Sequence, residues 1–316
     1  MAQSFAQALA AFDPDLPLTV AFSGGADSTA LLLGCCRKWP GRVEAIHVHH
    51  GLQKAADHFE QHAREVCKQL GVPLQVCHVD GRHRAGQSPE DAARLARYGA
   101  FARVAQERRK AGARTVIALA HHAQDQVETL LLALSRGAGL PGLSAMASRF
   151  ERDGLIYHRP LLQVSSGEIR QWLDEQVMGF VEDPSNADQR LTRNRIRARV
   201  LPALEACFPG YLQTFSRSAG HLAQAQALLD DLAAQDLVAV GVPPRLRALK
   251  GLGLSRQANV LRHWLKTCHQ VVPTTAQMDE LLGQIQACNT RAHQVDIRVA
   301  YGRCRRVGPV IDWYNS

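Results

Sequence analysis

No apolar stretch in these 316 residues approaches the roughly 20 needed to cross a bilayer. The first residues carry Asp13 and Asp15 and no basic leader, so they do not read as a secretory signal. A cytoplasmic chain with no membrane partner is expected. The eight cysteines form no C-x-x-C pair and stand at no His spacing typical of zinc, which argues for free thiols in a reducing compartment. The same lack counts against an iron–sulfur enzyme. Two nucleotide signatures are also missing. No glycine-rich loop ends in Gly-Lys-Ser/Thr, and no run has the spacing of a dinucleotide fingerprint, so neither a P-loop GTPase nor a Rossmann dehydrogenase is indicated. There is no convincing internal repeat or low-complexity tract.

What is present is sharpest between Leu18 and Leu33. The apolar run Leu18-Thr19-Val20-Ala21-Phe22 breaks into Ser23-Gly24-Gly25-Ala26-Asp27-Ser28 and resumes as Ala30-Leu31-Leu32-Leu33, which reads strand, tight loop, helix. Two glycines let backbone approach an anion, and a helix N-terminus offers free N–H groups and a positive dipole end to phosphate. Ser23 and Ser28 add hydroxyl donors. Asp27 would repel phosphate unless a cation such as Mg²⁺ lies between them, so it is the candidate metal ligand of a bound nucleotide. Ser-Gly-Gly-x-Asp-Ser after a strand resembles the pyrophosphate loop of the N-type ATP pyrophosphatases, which split ATP between its α and β phosphates.

The pattern around the loop predicts an α/β fold with a doubly wound parallel sheet. Strands are expected at 42–50, 74–79 and 115–120, alternating with helices near 56–70, at 89–110 and from Ala123, and a further βα unit over 155–178. Such alternation places ligands at the carboxyl ends of the strands. Phe208-Pro209-Gly210 is the expected boundary between a catalytic domain, 1–207, and a smaller, mainly helical domain, 208–316. Helices are expected there at about 211–237, 255–268 and 275–287, with a terminal hairpin around Tyr301-Gly302. Residues 238–316 hold eleven Lys or Arg against four acids, which accounts for +7 of the net +8. That block, with Arg303, Arg305 and Arg306 beside Tyr301, is the expected nucleic-acid face.

Four further constellations carry chemistry. His47-Val48-His49-His50-Gly51-Leu52 stands where a doubly wound sheet meets an adenine, and His47 is the candidate contact. A metal reading of the three histidines is disfavoured, because alternate residues of a strand face opposite ways and neither Cys nor an HExxH helix accompanies them. His121-His122-Ala123-Gln124-Asp125-Gln126-Val127-Glu128-Thr129 places Asp125 and Glu128 on one face of a first helical turn. Arg94 and Arg97, three apart on a long helix, can both reach phosphate. Beyond Glu182-Asp183-Pro184-Ser185-Asn186, Arg190, Arg193, Arg195, Arg197 and Arg199 have no acids among them and are expected to meet RNA phosphate.

Taken in order, these motifs, with Arg136-Gly137-Ala138-Gly139, resemble the tRNA(Ile)-lysidine synthase family over about the first two thirds of the chain, and 240–285 weakly resembles its substrate-binding helical domain. The resemblance implies a ligase in which ATP adenylates the C2 oxygen of the wobble cytidine in a CAU anticodon of tRNA-Ile. L-lysine then displaces AMP. At neutral pH the lysine amine, with a reference pKa near 10.4, must lose a proton at a cost of about 4–5 kcal/mol. On this resemblance Asp125 and Glu128 bind the lysine, assist its deprotonation, or both. Asp27 holds Mg²⁺ on pyrophosphate, Arg94 or Arg97 supports the adenylate, and Arg193, Arg195 and Arg197 bind tRNA. No stable protein partner is expected. His49 stands where the family often has Asp or Asn, Gln124 where it often has a first Asp, and the extra C-terminal domain of longer members is expected to be lacking. The alternative is another tRNA-modifying or amide-forming adenylating enzyme with the same loop.

Overall fold

The computed structural model describes residues 3–51, 55–82, 88–110, 115–290 and 293–315. Leu52, at the end of the histidine motif, and Arg291 lie outside the described residues. The chain divides into two compact units, Met1–His221 and Leu222–Ser316. The division falls inside a long helix, whereas Phe208-Pro209-Gly210 forms the turn that precedes that helix. Among the described residues, no helix is long and apolar enough to cross a membrane.

The first unit opens with α1 (Phe5–Ala11), then alternates β1 (Leu18–Ala21), α2 (Ala26–Lys38), β2 (Val43–His49), α3 (Ala55–Leu70), β3 (Leu74–His78), α4 (Pro89–Lys110), β4 (Val116–Ala118) and α5 (Ala123–Ser135). The short α6 (Leu140–Leu143) leads to β5 (Arg149–Arg152), β6 (Leu155–His158) and α7 (Ser166–Glu175). The strands form one sheet in the order β3-β2-β1-β4-β6-β5, parallel except for β5. The expected doubly wound sheet is therefore present, with an antiparallel edge that the sequence reading did not include. The order reverses between β1 and β4, which opens a crevice beyond their carboxyl ends.

Apolar layers cover both faces. On one, Leu31 and Leu32 of α2 pack fully buried against β1, α1 and α7. Each such leucine contributes about 1.5–3 kcal/mol through burial. On the other, Tyr98, Phe101 and Val104 of α4 pack on Ile117, Leu155 and Tyr157. The first helix of the sheet is thus fixed by its apolar face, and its N-terminus is held beside β1.

After α7, a 3₁₀ turn (Pro184–Ala187) leads to α8 (Thr192–Arg195), a π-helical turn (Ile196–Val200) and α9 (Leu201–Cys207). Ile196, Leu201 and Tyr211 pack on Val127 of α5, which seats this segment beside the first turn of that helix. α10 (Tyr211–Val240) follows.

The second unit contains α11 (Leu246–Lys250), α12 (Leu254–His269), α13 (Thr275–Ala287) and an antiparallel sheet of β7 (Asp296–Val299), β8 (Gly302–Val307) and β9 (Val310–Asn315). The hairpin around Tyr301-Gly302 is there, extended by a third strand. Its core gathers Trp264, Leu265, Met278, Leu281 and Ile297. The basic residues singled out here are partly engaged within the unit. Arg303 and Arg305 both pair with Asp296, and Arg306 donates to the carbonyls of Gly308, Thr290 and His293. Tyr301 is 56% exposed. All eight cysteines are free thiols.

Candidate active site

The crevice at the sheet's switch point is a cavity of about 640 Å³ within the first unit. Its floor is the loop between β1 and α2. Gly24 has φ +90°, a conformation that L side chains rarely adopt, and Gly25 is the N-cap of α2. Ser28 staples the turn, accepting from the Ser23 N–H at 3.2 Å and the Ser23 hydroxyl at 3.0 Å while donating to the Gly25 carbonyl at 3.0 Å. The expected hydroxyl donors are therefore spent on the loop itself. What the loop presents to the cavity is the first turn of α2, at Ala26, Asp27 and Ser28, whose N–H groups have no helical partners. The Val181 N–H donates to the Gly24 carbonyl at 3.0 Å, so the segment through Glu182, Asp183 and Asn186 forms a second wall.

His47 lines the cavity, and its Nδ1–H donates to the Phe22 carbonyl at 2.8 Å, tying β2 to the end of β1. Burial lowers its pKa. Burial also lowers His50 to about 4 and His121 to about 3, so these cavity-lining rings are neutral at pH 7. Permanent positive charge comes instead from Arg97, Arg170 and Arg197. Arg97 and Arg94, equivalent in the sequence, are separated by the fold. Arg97 faces the cavity with its buried Nε unpartnered among the described residues, whereas Arg94 is exposed on α4 and does not line it. Arg170, on α7, gives no sequence signal. It reaches the cavity and pairs with Glu182 at 3.1 Å.

The α5 motif resolves into distinct roles. His122 is the N-cap, and its backbone N–H donates to Asp125 Oδ2 at 3.0 Å. Its Nε2 stands 3.7 Å from Asp27 Oδ2 and 3.7 Å from Asp125 Oδ2, between the two carboxylates. Gln124 accepts from the Ser166 N–H, and Gln126 holds the Met146 backbone through both its carbonyl and its amide.

Burial works to raise the Asp125 pKa, but His122, His121, the His122 N–H and Arg197 outweigh it and hold the carboxyl below its usual value. Asp27 goes the other way. Burial pushes it up against the opposing His122, and the Asp125 charge adds to the push. Two carboxylates thus share one cavity, and the side chain of Asp27 is 36% exposed beside the phosphate-type loop. A hard oxygen donor in that position fits Mg²⁺, which binds through one or two carboxylates plus phosphate oxygens.

Glu128, Arg193 and Arg197 have partners that the local sequence does not show. Glu128 does not face the cavity: it is 0% exposed, and Arg197 holds it through Nε to Oε1 and Nη2 to Oε2. Burial raises its pKa despite that pairing. Arg193 and Arg197, expected to meet RNA, are engaged by acids. Arg197 also donates to Asp125 Oδ1 at 2.9 Å, and Arg193 pairs with Glu90 at 2.5 Å and Glu128 at 3.4 Å. Acids distant in sequence supply the partners that the local run lacks. Arg195 is exposed, with bonds to the Arg190 carbonyl and Thr192 hydroxyl, whereas Arg197, also exposed, spends its guanidinium on Asp125 and Glu128.

The PP-loop domain model matches residues 1–204, and the TilS substrate binding domain model matches 245–307. The chain is 56% identical over 293 residues to the tRNA(Ile)-lysidine synthase of Polaromonas naphthalenivorans, covering 93% of this chain and 88% of that one. The chain belongs to the tRNA(Ile)-lysidine synthase family. The family member from Bordetella pertussis is 38% identical over 320 residues, with 95% and 98% covered. That from Burkholderia pseudomallei is 39% identical over 313 residues, and the match spans 97% of this chain but 63% of that longer relative. Among solved structures, the U34-tRNA thiolase NcsA of Methanococcus maripaludis shares the fold, with a TM-score of 0.54 at 17% identity over 65% of this chain and 70% of the other. Membership of the family implies the use of ATP at the loop.

Proposed function

We propose that this chain ligates L-lysine to C2 of the wobble cytidine in a CAU-bearing tRNA-Ile, consuming ATP and releasing AMP and pyrophosphate. The observation that supports this reading is the convergence of Asp27, Arg97 and Asp125 on one cavity beyond the ends of β1 and β4. In the first half-reaction the C2 oxygen attacks the α-phosphorus, and the bond to the pyrophosphate oxygen breaks. The first-turn N–H groups of α2 receive the leaving charge, and Arg97 supplies a fixed cation opposite them. Asp27 would hold Mg²⁺, which supplies neutralisation of phosphate charge there.

In the second half-reaction the lysine amine attacks C2 and the bond from C2 to the AMP oxygen breaks, with one proton leaving the nitrogen. Asp125 stays ionised and faces the cavity, so it is the carboxylate that can pair with the ammonium and then accept or relay that proton. Glu128 acts through Arg197 as a positioning residue. Arg195 and the substrate-binding domain are left to engage RNA. A cytoplasmic setting accords with these substrates.

The test is to supply purified protein with ATP, Mg²⁺, labelled lysine and a tRNA-Ile transcript bearing CAU. Label in the RNA with matching AMP release supports the reading. AMP release that depends on a different co-substrate would favour another adenylating activity of the same fold.

A further inference from the structure

Two histidines and two carboxylates meet at the outer end of β2 and β3. His49 and His78 are opposite one another in the parallel register, so both rings stand on the same face of the sheet, with centroids 4.8 Å apart. Helix α3 brings Asp57 and Glu60, three residues apart on one helical face, against that pair. His49 Nε2 is 3.0 Å from Asp57 Oδ1, and His78 Nε2 is 3.3 Å from Glu60 Oε2. The donor atoms of His49, Glu60 and His78 all lie within 4.8 Å of one another. Donors around a tetrahedral zinc ion, at bonds of about 2.0–2.2 Å, are spaced about 3.3–3.5 Å apart.

We infer that His49, Glu60 and His78 form a three-ligand site for a divalent ion of the zinc class, clipping α3 to the edge of the sheet, with Asp57 beside His49 at its rim. Two imidazoles and one carboxylate, with a fourth position for water, suit zinc, or cobalt as its spectroscopic substitute, better than soft-metal or all-oxygen chemistry. The other oxygen of Glu60 is already oriented, accepting from Arg64 Nε at 2.9 Å and Nη2 at 2.6 Å, as outer partners of metal-binding carboxylates do. His49 Nδ1 accepts from the Gly51 N–H at 3.3 Å, and Nε2 shares its proton with Asp57. Metal at Nε2 moves that proton to Nδ1, so the long Gly51 contact is given up. Histidines alternating along one strand cannot make this site; it needs a neighbouring strand in register.

The experiment uses the untagged full chain, stripped with chelator and titrated with Co²⁺, then Zn²⁺. The inference predicts about one ion per chain, a visible absorption band of tetrahedral cobalt that zinc quenches, and a metal-dependent rise in melting temperature. His78→Ala, at a side chain 66% exposed, and the His49→Ala His78→Ala pair should lose the band and at least about tenfold in affinity. His58→Ala, exposed on the same helix, should retain both. Asp27→Ala should also retain them, which separates this ion from one that accompanies a nucleotide. Absence of saturable cobalt uptake by the wild type, or equal uptake by the double variant, overturns the inference.

Discussion

The guanidinium of Arg197 and the carboxylate of Glu128 meet side-on, with Nη2 at 3.1 Å from Oε2 and Nε on Oε1, and Glu128 has no exposed surface. Arg197 is 40% exposed on its side chain and lines the cavity, so the pair joins a buried acid to a cation at the site. The same guanidinium reaches Asp125. Glu128 therefore sets the posture of the residue that fixes Asp125.

Glu128→Gln should separate stability from activity. The raised pKa says that burying this charge costs more than Arg197 and Arg193 return, so a neutral isostere should lie within about 1 kcal/mol of the wild type at pH 7 by urea denaturation. Lysine ligation should fall at least about tenfold as Arg197 loses its side-on hold. The sign of the pH effect follows from the same shift. As pH falls from neutral through the raised folded pKa toward the ordinary value of 4.5, the wild type should gain stability relative to Glu128→Gln.

Asp27→Asn should lose AMP formation while remaining folded. Burial, with the Asp125 charge added, raises the Asp27 pKa above 3.8, so the ionised carboxylate opposes folding at neutral pH. Partial exposure screens that cost, so the variant should match the wild type or exceed it by about 0.5 kcal/mol in the absence of nucleotide. The difference should shrink on acidification through the raised pKa. A destabilised variant at pH 7 would contradict the assignment.

Arg97 and Arg94 should differ in adenylation. Arg97→Ala removes one of the three fixed cations that line the cavity and should slow AMP formation by about 10²-fold, whereas Arg94→Ala should change it less than about threefold. Single-turnover AMP release measures both. Equal effects would show that helical spacing, not the observed placement, governs this helix.

Arg195 and Arg193 should separate in tRNA binding. Arg195→Ala should lower affinity evenly across tRNA sequences and reduce the slope of log affinity against log salt by about one. Arg193→Ala should leave the slope unchanged and cost about 1–3 kcal/mol in stability, because it uncovers the buried Glu128.

Much of this arrangement could be read from the chain. The helix expected at 89–110 is found at those residues: Pro89 starts it, and Tyr98, Phe101, Val104 and Ala105 supply the apolar face of its middle. The loop at 23–28 was legible because strand, glycines and helix are contiguous. The edge strand β5 was not: three of the four residues in Arg149-Phe150-Glu151-Arg152 are charged, and only its pairing with β6 makes it a strand. β9 escaped for a related reason, since Val310–Asn315 gains its strand character from β8. The acid partners of Arg193 and Arg197 were not legible, because a charge run shows its own neighbours and not Glu90, Asp125 and Glu128, which the fold brings from far away in sequence. His78 and Arg170 carry no local signal at all.

The most direct measurement follows ATP labelled in its α-phosphate through a single turnover with CAU-bearing tRNA-Ile and Mg²⁺, first without lysine and then with it. The account predicts that the label moves onto the RNA in the absence of lysine and leaves as free AMP when lysine is added, with the amino acid retained on the RNA. Label that passes to lysine instead, or stays in ATP until lysine is present and never reaches the RNA, would contradict it.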